Sequence, residues 1–535
     1  MIRRLLVAVV ALALPLLLIA PDASAQQPKR GGTLRMAERE APNLDPHLSV
    51  SFLTHNYVSL VYSQLVRFPY GPEQQHSADF TIVPDLAEKW EYKTPTTLVF
   101  TLRRGVKFHA KPPVNGREVT AEDVKYSLER FMAKSGFRAR FEPVQSVEAV
   151  DRYTVRITLK EPFAPLLNHL ANPMYTAILP REAEGKFKDF NHPDAVIGTG
   201  PFVLKTYDKG VRVVFDRNPD YFAKGLPYLD RVVIEITPDA SARLSLLRSG
   251  KVEMGQISSW AGLEEGRSLQ KTNPEMPLTP TQIIGQGVIY MRTDQPPFND
   301  VRVRRAVSLA IDRKGWNEAL FFGEGCLVSG PVPCAMKEWR LEPSDLEPAK
   351  AKYLAGYDVA EARKLLVEAG YPKGFTTPAF HWPGYAQHWR SYYDLIVDNL
   401  SKVGITVELK PEEYGKYIST TYLGKFEKMA IGPITPFSEV DDWLYGAFFP
   451  EQPNNRSNVA DAELNKMLAA QRRETDPKKR RELVHEIQRY LADKAYYVYL
   501  PNPPQYVAHP PYVKGFKHHD GYSLGYKLMF TWLDK

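Results

Sequence analysis

The chain has 535 residues, of which 44% are hydrophobic and 24% charged, so it is long enough to form more than one structural unit. Its formal net charge is +7, and 69 basic residues are interspersed among 62 acidic ones. Nucleic-acid binding would usually concentrate the basic residues in a stripe or face. We therefore expect a soluble protein of several units that binds no nucleic acid.

The first 25 residues have the form of an export signal. A basic Arg3-Arg4 pair precedes the apolar run Leu5–Ala20, and Ala23-Ser24-Ala25 is a small-residue cleavage site. The apolar run is short for a membrane-spanning helix, and the cleavage site follows it closely. No cysteine lies near that site, which argues against a lipid anchor. We predict cleavage after Ala25 and a mature periplasmic protein.

Hydrophobic periodicity and capping residues predict the elements of the first half. The strands are expected at Gly31–Ala37, at Leu98–Leu102, within Gln145–Lys160 and at Tyr228–Ile236. The helices are expected at Asn56–Phe68, Pro84–Trp90, Pro162–Leu170 and Ala240–Gly250, with a further amphipathic helix starting at the N-cap Thr120.

Gly198-Thr199-Gly200-Pro201-Phe202 predicts a sharp turn that leads into a buried strand, because glycine tolerates bends at low steric cost. The competing interpretation is a phosphate-binding loop. The segment lacks the full G-x-G-x-x-G pattern and any following Lys-Ser/Thr, so the turn is favoured.

The second half repeats the alternation of strands and helices, which predicts a mixed α/β class. The strands are expected at Val288–Met291, Thr377–Phe380, Ile405–Leu409, Lys428–Ile431 and Tyr496–Leu500. The helices are expected at Val301–Ala310, Tyr357–Ala369, Arg390–Val403 and Asp476–Ala492. Pro501–Pro511 carries five prolines, which indicates a linker or crossing, and His518-His519 reads as a solvated polar loop.

The two cysteines, Cys326 and Cys334, lie in one Gly/Pro-rich loop. In an oxidising compartment this spacing favours a disulfide. A metal pair or a redox dithiol are the alternatives, but the spacing is not C-x-x-C and no histidine lies nearby. We predict a structural disulfide.

Several segments, taken in order, resemble one family. They are the stretch Pro84–Arg130, the turn Gly198–Leu204, the segment Pro296–Arg313 with its "PPFNDVRVRRA" and "AIDR" strings, and the helix ending in Ala369-Gly370. Together they resemble the peptide/nickel/oligosaccharide class, family 5, of solute-binding proteins that serve ABC importers. The resemblance spans nearly all of Gly31–Trp532.

The resemblance implies a two-lobed periplasmic binding protein-like α/β fold with an extra subdomain in the first lobe and a hinge between the lobes. After the signal at residues 1–25, lobe one is expected at 26–286, with the subdomain at about 48–175. Lobe two is expected at 287–500, and residues 501–535 return to lobe one. The implied partners are a small-molecule or peptide ligand and the permease subunits in the inner membrane, and we expect a monomer without a cofactor or metal.

Catalytic patterns do not support an enzyme. The chain has no G-x-S-x-G, and the zincin-like start at His485-Glu486 lacks its second histidine because residue 489 is arginine. Asp441-Asp442 could serve acid/base chemistry only with a partner carboxylate that the sequence cannot place. A secreted hydrolase is therefore the rival hypothesis to a binding protein.

Ligand capture needs aromatic surface to cover the solute and a few polar groups to orient it. In α/β proteins such groups tend to lie on loops after the carboxyl ends of strands. Three loops meet this description, and their candidate ligand-binding residues are Ser259, Trp260, Trp382, Tyr385, Pro436, Phe437 and Asp441.

The third loop, Gly432–Trp443, indicates which class of solute the protein binds. In peptide-binding members of the family, this region carries a Trp and then an Asp that pairs with the peptide's α-ammonium group. Here Pro433 stands at the Trp and Pro436 at the Asp, and proline supplies no carboxylate. Glu439 could substitute from a few residues away. A peptide or peptide-like solute is the family default, and an oligosaccharide, an opine-like compound or another small organic solute is the alternative.

Overall fold

The structure is a computed structural model that describes residues 27–535 except 256–259, 262, 283, 385–387, 435–436 and 453. Strands and helices alternate along the whole described chain, which confirms the mixed α/β class. Within these ranges, no helix has the length and apolar character required to cross a bilayer.

The strands follow one another in chain order. They are β1 (Thr33–Glu38), β2 (Val66–Arg67), β3 (Val83–Pro84), β4 (Ala87–Thr94), β5 (Thr97–Leu102), β6 (Val144–Asp151), β7 (Thr154–Leu159), β8 (Phe202–Asp208), β9 (Arg212–Arg217), β10 (Arg231–Ile236), β11 (Trp260–Ala261), β12 (Leu278–Thr281), β13 (Gln286–Met291), β14 (Phe375–His381), β15 (Ile405–Pro411), β16 (Met429–Ile434), β17 (Tyr497–Tyr499), β18 (Gln505–Ala508), β19 (Val513–Lys514) and β20 (Trp532–Leu533).

The helices lie between them. They are α1 (Phe52–Val58), α2 (Ala121–Lys134), α3 (Leu166–Ala171), α4 (Arg181–Phe187), α5 (Ala240–Arg248), α6 (Leu263–Thr272), α7 (Val301–Ala310), α8 (Arg313–Phe321), α9 (Pro348–Ala355), α10 (Val359–Glu368), α11 (His388–Ser401), α12 (Tyr414–Ser419), α13 (Val440–Phe448), α14 (Ala462–Arg473), α15 (Pro477–Leu491) and α16 (Leu524–Met529).

Three sheets carry most of the architecture. The first has the order β1-β10-β9-β8, with β1 and β10 parallel. The second, β4-β5-β7-β6, is antiparallel and lies within the predicted subdomain. The third has the order β15-β14-β16-β13-β17, with β14 parallel to both of its neighbours. The first two sheets come from the N-terminal half of the chain and the third from the C-terminal half.

The buried apolar residues form separate cores. The largest core draws on residues from Leu34 to Met254 and then, after a long gap, from Val507 to Leu533. Two further cores draw almost entirely on residues between Ile284 and Leu500. We call these two parts of the molecule the first lobe (27–286 and 501–535) and the second lobe (287–500); these boundaries come from the sequence and remain a prediction.

The C-terminal segment packs on the first lobe. Within the Pro-rich stretch expected to be a linker, β18 pairs antiparallel with β11 and β12. Helix α16 contacts α1, and Tyr526 lies in the first-lobe core. His518 and His519 are buried, so their interpretation as a solvated loop was wrong. The ring of His519 lies 4.5 Å from that of Tyr70 and its Nε2 is 2.8 Å from the Asp79 carbonyl oxygen.

The turn at residues 198–202 explains why one predicted helix is too long. The Gly200 and Phe202 amides donate to the carbonyl oxygens of Val61 and Leu60, at 2.7 and 2.9 Å. These carbonyl groups therefore have partners outside a helix, and α1 ends at Val58 instead of reaching Phe68. A Cβ on Gly200 would lie 2.6 Å from the Val61 carbonyl carbon, so the glycine is required by this close approach.

The segment Pro84–Trp90 is not a helix. It contains the end of β3 and the start of β4, which pairs with β5 from Ala87↔Leu102 to Thr94↔Thr97. Tertiary pairing overrides the local helix signal here, since β4 uses its backbone groups for the sheet. The N-cap prediction at Thr120 is confirmed: α2 begins at Ala121, and the Asp123 carboxylate accepts from the Thr120 amide at 2.9 Å.

Several histidines are buried and held neutral. Burial lowers the pKa of His47 to about 3 and the pKa values of His55 and His109 to about 4. The His109 Nε2 lies 3.1 Å from the Gly200 carbonyl oxygen, so this ring fixes the same turn. Because the unfolded chain binds protons at these histidines near pH 6.5 and the native state does not, stability is complete above pH 6.5 and is lost as the pH falls toward 4.

The substitution His109→Gln should make the protein less sensitive to acid. The glutamine amide can still donate to Gly200, but it takes up no proton. We expect the wild type to lose about 2 kcal/mol more free energy of unfolding than the variant between pH 7.5 and pH 5. Urea unfolding at both pH values measures this difference. His192, whose side chain is 54% exposed, provides the control His192→Gln. Equal losses in the wild type and His109→Gln would contradict the prediction.

Candidate binding cleft

A cavity of about 520 Å³ lies between the two lobes. The first lobe contributes residues of α1 and of the segment after α2, together with His169 of α3. The second lobe contributes the end of β16, the start of α13 and parts of the neighbouring loops. A cavity of this size matches a small-molecule or short-peptide site, which is typically concave and largely apolar.

Phenylalanine, tyrosine and tryptophan rings line this cleft. They come from both lobes and are Phe52, Phe137, Trp382, Tyr422, Phe437 and Tyr445. Two of them are held by arginines: the Arg472 guanidinium lies 3.7 Å from the centre of the Tyr445 ring, and Arg456 lies 3.5 Å from that of Tyr422. Such rings can cover an organic solute on two sides.

Three carboxylates lie at the start of α13, and each faces an arginine. Glu439, the N-cap, pairs with Arg480 of α15 at 2.5 Å between Oε1 and Nη2. Asp441 pairs with Arg472 of α14 at 3.2 Å, and the Gln471 amide also donates to it. Asp442 pairs with Arg140 of the first lobe, at 3.0 Å between Oδ1 and Nη2. The six side chains are balanced in formal charge.

Burial governs the protonation of this cluster. It raises the pKa of Asp441 and raises that of Asp442 to about 6, while the neighbouring arginines oppose the shift. His169, which lines the same cleft, has its pKa lowered well below the usual value by burial and then by Arg140, Arg472 and Arg480. The imidazole is therefore neutral at physiological pH.

Hydrogen bonds between the lobes lie beside residues that line this cleft and a second cavity of about 390 Å³. The Asn168 and Asn172 amides of the first lobe donate to the carbonyl and hydroxyl oxygens of Ser438, at 3.3 and 3.0 Å. The Ser438 hydroxyl donates to Asn168 Oδ1 at 3.0 Å. Asn168 lines the second cavity and His169 the first, so this Asn–Ser bridge lies between them.

Of the residues predicted from the sequence, the structure brings together Trp382, Phe437 and Asp441, which all line the 520 Å³ cleft. Ser259, Tyr385 and Pro436 lie outside the described residues. Trp260 is described only as part of β11, where its backbone pairs with Val507. Glu439, considered as a substitute anchor for an ammonium group, is already paired with Arg480 and lines the second cavity.

The first-lobe side of the cleft was missed by sequence reasoning. Arg140 and His169 carry no motif, and they reach the second lobe only because α2 and α3 place them at the lobe boundary. Asp442 had been singled out only as half of an acidic pair. The one available signal was the aromatic and basic composition of Phe137–Phe141, which follows the well-predicted helix α2.

Cys326 and Cys334 form a disulfide in the structure, with their Cα atoms 6.5 Å apart. The loop that it closes precedes Trp339, which lines the second cavity.

The fold is that of a two-lobed α/β binding protein, with a cleft between the lobes. Comparison with known sequences agrees: residues 81–455 match the family described as "Bacterial extracellular solute-binding proteins, family 5 Middle". The match covers more than half of the chain. The protein belongs to this family, which is one of solute-binding proteins and not of enzymes.

The chain is also similar to individual proteins over most of their length. Di/tripeptide-binding protein 1 of Pseudomonas aeruginosa (strain UCBPP-PA14) is 28% identical over 466 residues, which cover 81% of this chain and 82% of the relative. The solved structure of the periplasmic binding protein DppA from Helicobacter pylori, in complex with the peptide STSA, has a TM-score of 0.76 at 27% identity and covers 95% of this chain and 99% of that one. AgaA from A. tumefacien R10, in complex with agropinic acid, has a TM-score of 0.75 at 25% identity, with coverages of 94% and 99%.

Loss of one arginine from the carboxylate cluster should destabilise the second lobe. In Arg480→Met, Glu439 would stay buried without its counter-charge, and we expect the free energy of unfolding to fall by about 3–5 kcal/mol. The control is Arg473→Met, because Arg473 pairs with Glu161 with side chains 56% and 45% exposed. That exposed pair should contribute at most about 1 kcal/mol. Urea unfolding measures both variants, and equal effects would count against the buried-charge argument.

Proposed function

We propose that this protein is the periplasmic solute-binding component of an ABC importer. It captures a peptide or peptide-like solute between its two lobes and delivers it to the permease in the inner membrane. The observation that carries the proposal is the 520 Å³ cleft, which both lobes line with aromatic rings and charged side chains. Relatives named for di- and tripeptides and a related structure with a bound peptide support this cargo.

Capture requires the lobes to open and close by a bend at the hinge between them. The polar contacts between the lobes include the Arg140–Asp442 pair and the Asn–Ser bridge. Contacts of this kind can break and reform without unfolding either core. We further propose that residues 26–286 and 501–535 form one lobe, that 287–500 form the other, and that the signal is removed after Ala25.

A non-peptide organic solute is the second candidate. Pro433 stands where peptide-binding members of the family carry Trp, and Pro436 stands at the position of the ammonium-binding Asp. Glu439 and Asp441 are already paired with arginines. These observations favour a solute that does not bind through a peptide N-terminus paired with an aspartate. The related AgaA was solved in complex with agropinic acid.

The decisive experiment is to purify the protein from its native periplasm, denature it and identify the released small molecules by mass spectrometry. Peptides among them would support the first candidate, and opine-like or sugar molecules the second. Incubation of the native protein with the released molecules tests the hydrolase hypothesis, because a binding protein returns them unchanged. The mass of the purified chain shows whether it begins at Gln26.

Trp382 should contribute directly to binding. Removal of the indole in Trp382→Ala takes one aromatic wall from the cleft, and we expect at least a tenfold loss of affinity for the released solute. Isothermal titration calorimetry measures the affinity, and intrinsic fluorescence should change on binding in the wild type. Trp90→Phe, on strand β4 away from the cleft lining, serves as the control. Unchanged affinity in Trp382→Ala would remove this residue from the site.

A further inference from the structure

The second cavity, of about 390 Å³, lies between the lobes beside the Asn–Ser bridge. From the first lobe it is lined by the segment before β3 and by β4. From the second lobe it is lined by the segment after the disulfide loop and by the start of α15. Its volume suits a small organic molecule, and the proposed capture of a solute in the first cavity makes no use of it.

Aromatic rings line this second cavity from both lobes. Phe80 of the first lobe packs edge-on against Phe68 of the core, with the ring centres 5.1 Å apart. Trp339 of the second lobe has the Arg480 guanidinium 5.1 Å from its ring centre, and its carbonyl oxygen accepts from the Gln488 amide at 2.7 Å. These contacts hold both rings in place, so they offer apolar walls to a planar group.

The charges around the cavity leave one arginine without a partner. The Glu439 carboxylate is neutralised by Arg480, at 2.5 Å between Oε1 and Nη2. The Glu338 carboxylate lies 4.0 Å from His76 Nε2 of the first lobe. Arg481 also lines the cavity, and among the residues that the structure describes it has neither an ion pair nor a hydrogen bond. A carboxylate is the group that a guanidinium binds most strongly, so this side chain favours an acid as the occupant.

A second donor comes from the first lobe. Tyr92 of β4 lines the cavity, and its hydroxyl makes no hydrogen bond to any described residue. Burial raises the pKa of Tyr92 to about 12, so the phenol keeps its proton and can donate it to an anion. Arg480, which lines the same cavity, opposes this shift, which indicates that the hydroxyl lies on the cavity side of the ring.

We propose that the second cavity is a separate binding site for a small aromatic carboxylate. The aromatic ring packs between Phe80 and Trp339, and the carboxylate accepts from the Arg481 guanidinium and the Tyr92 hydroxyl. Because each lobe supplies one ring and one donor, the site is complete only while the lobes are in contact, and the bound acid stabilises that contact. This site goes beyond the proposed function, since it is distinct from the cleft assigned to the captured solute.

The test compares three probes on the full mature protein: indole-3-acetate, its neutral amide indole-3-acetamide, and acetate, which keeps the charge without the ring. Isothermal titration calorimetry should show saturable binding of indole-3-acetate. The affinities for the other two should be roughly tenfold or more lower, because one lacks the charge and the other the apolar contact. Equal affinities for indole-3-acetate and its amide, or no saturable binding of indole-3-acetate in the millimolar range, would overturn the proposal.

Variants on each lobe locate the bound probe. Arg481→Met removes the charge but keeps an apolar stem, and Tyr92→Phe removes only the hydroxyl. We expect the affinity for indole-3-acetate to fall roughly tenfold or more in Arg481→Met and about fivefold in Tyr92→Phe. The control is Arg489→Met, which removes an exposed charge from the same helix α15 and should bind the probe as the wild type does. Urea unfolding shows that each variant is folded.

Wild-type affinity in either Arg481→Met or Tyr92→Phe would overturn the proposal, because the probe would then occupy another place, such as the first cavity. Equal losses in Arg481→Met and Arg489→Met would also overturn it, since they would show a general effect of charge. These outcomes are independent of solute capture. Mass spectrometry of the released molecules tests the first cavity whether or not indole-3-acetate binds to the second.

Discussion

The structure depends on the neutralisation of three buried carboxylates at the start of α13. Glu439, Asp441 and Asp442 lie within four residues of one another, and burial of so much negative charge would be prohibitive without counter-charges. Arg480 and Arg472 come from α15 and α14, which fixes how these helices pack on α13 inside the second lobe. Arg140 comes from the first lobe, so the third carboxylate is neutralised only when the lobes meet. One group of charges therefore links the packing of the second lobe to its contact with the first.

Membership of the solute-binding family and the geometry of the cleft lead to the same role by separate routes. The family match extends over residues 81–455 and includes the turn at residues 198–202, whose glycine allows two backbone segments to touch. The cleft rests on rings and charges that the motifs do not specify. Pro433 and Pro436 fall within the matched residues 81–455, so this departure from the usual peptide pattern leaves the class of protein intact.

The sequence predicted the parts of the fold that local chemistry controls. Helix α2 begins after the N-cap Thr120, whose amide donates to the Asp123 carboxylate, and α7 and α15 begin after the N-caps Asp300 and Asp476. Pro84–Trp90 and the end of α1 were wrong because partners distant in sequence claim their backbone groups. The residues of the candidate site divide in the same way, into those with a local signal in the sequence and those without one. Phe437 and Asp441 could be found from their position after a strand, whereas Arg140 and His169 could not, since no local pattern states which charges meet across a cleft.

The Asn–Ser bridge has a consequence for the length of the cargo. Asn168 and Asn172 of the first lobe donate hydrogen bonds to Ser438 of the second lobe. This contact lies between the residues that line the first cavity and those that line the second. An extended solute that passed from the first cavity to the second along this boundary would have to displace these hydrogen bonds. For a protein that captures its solute in the first cavity, as proposed, this bridge restricts the length of the solute that the lobes can enclose.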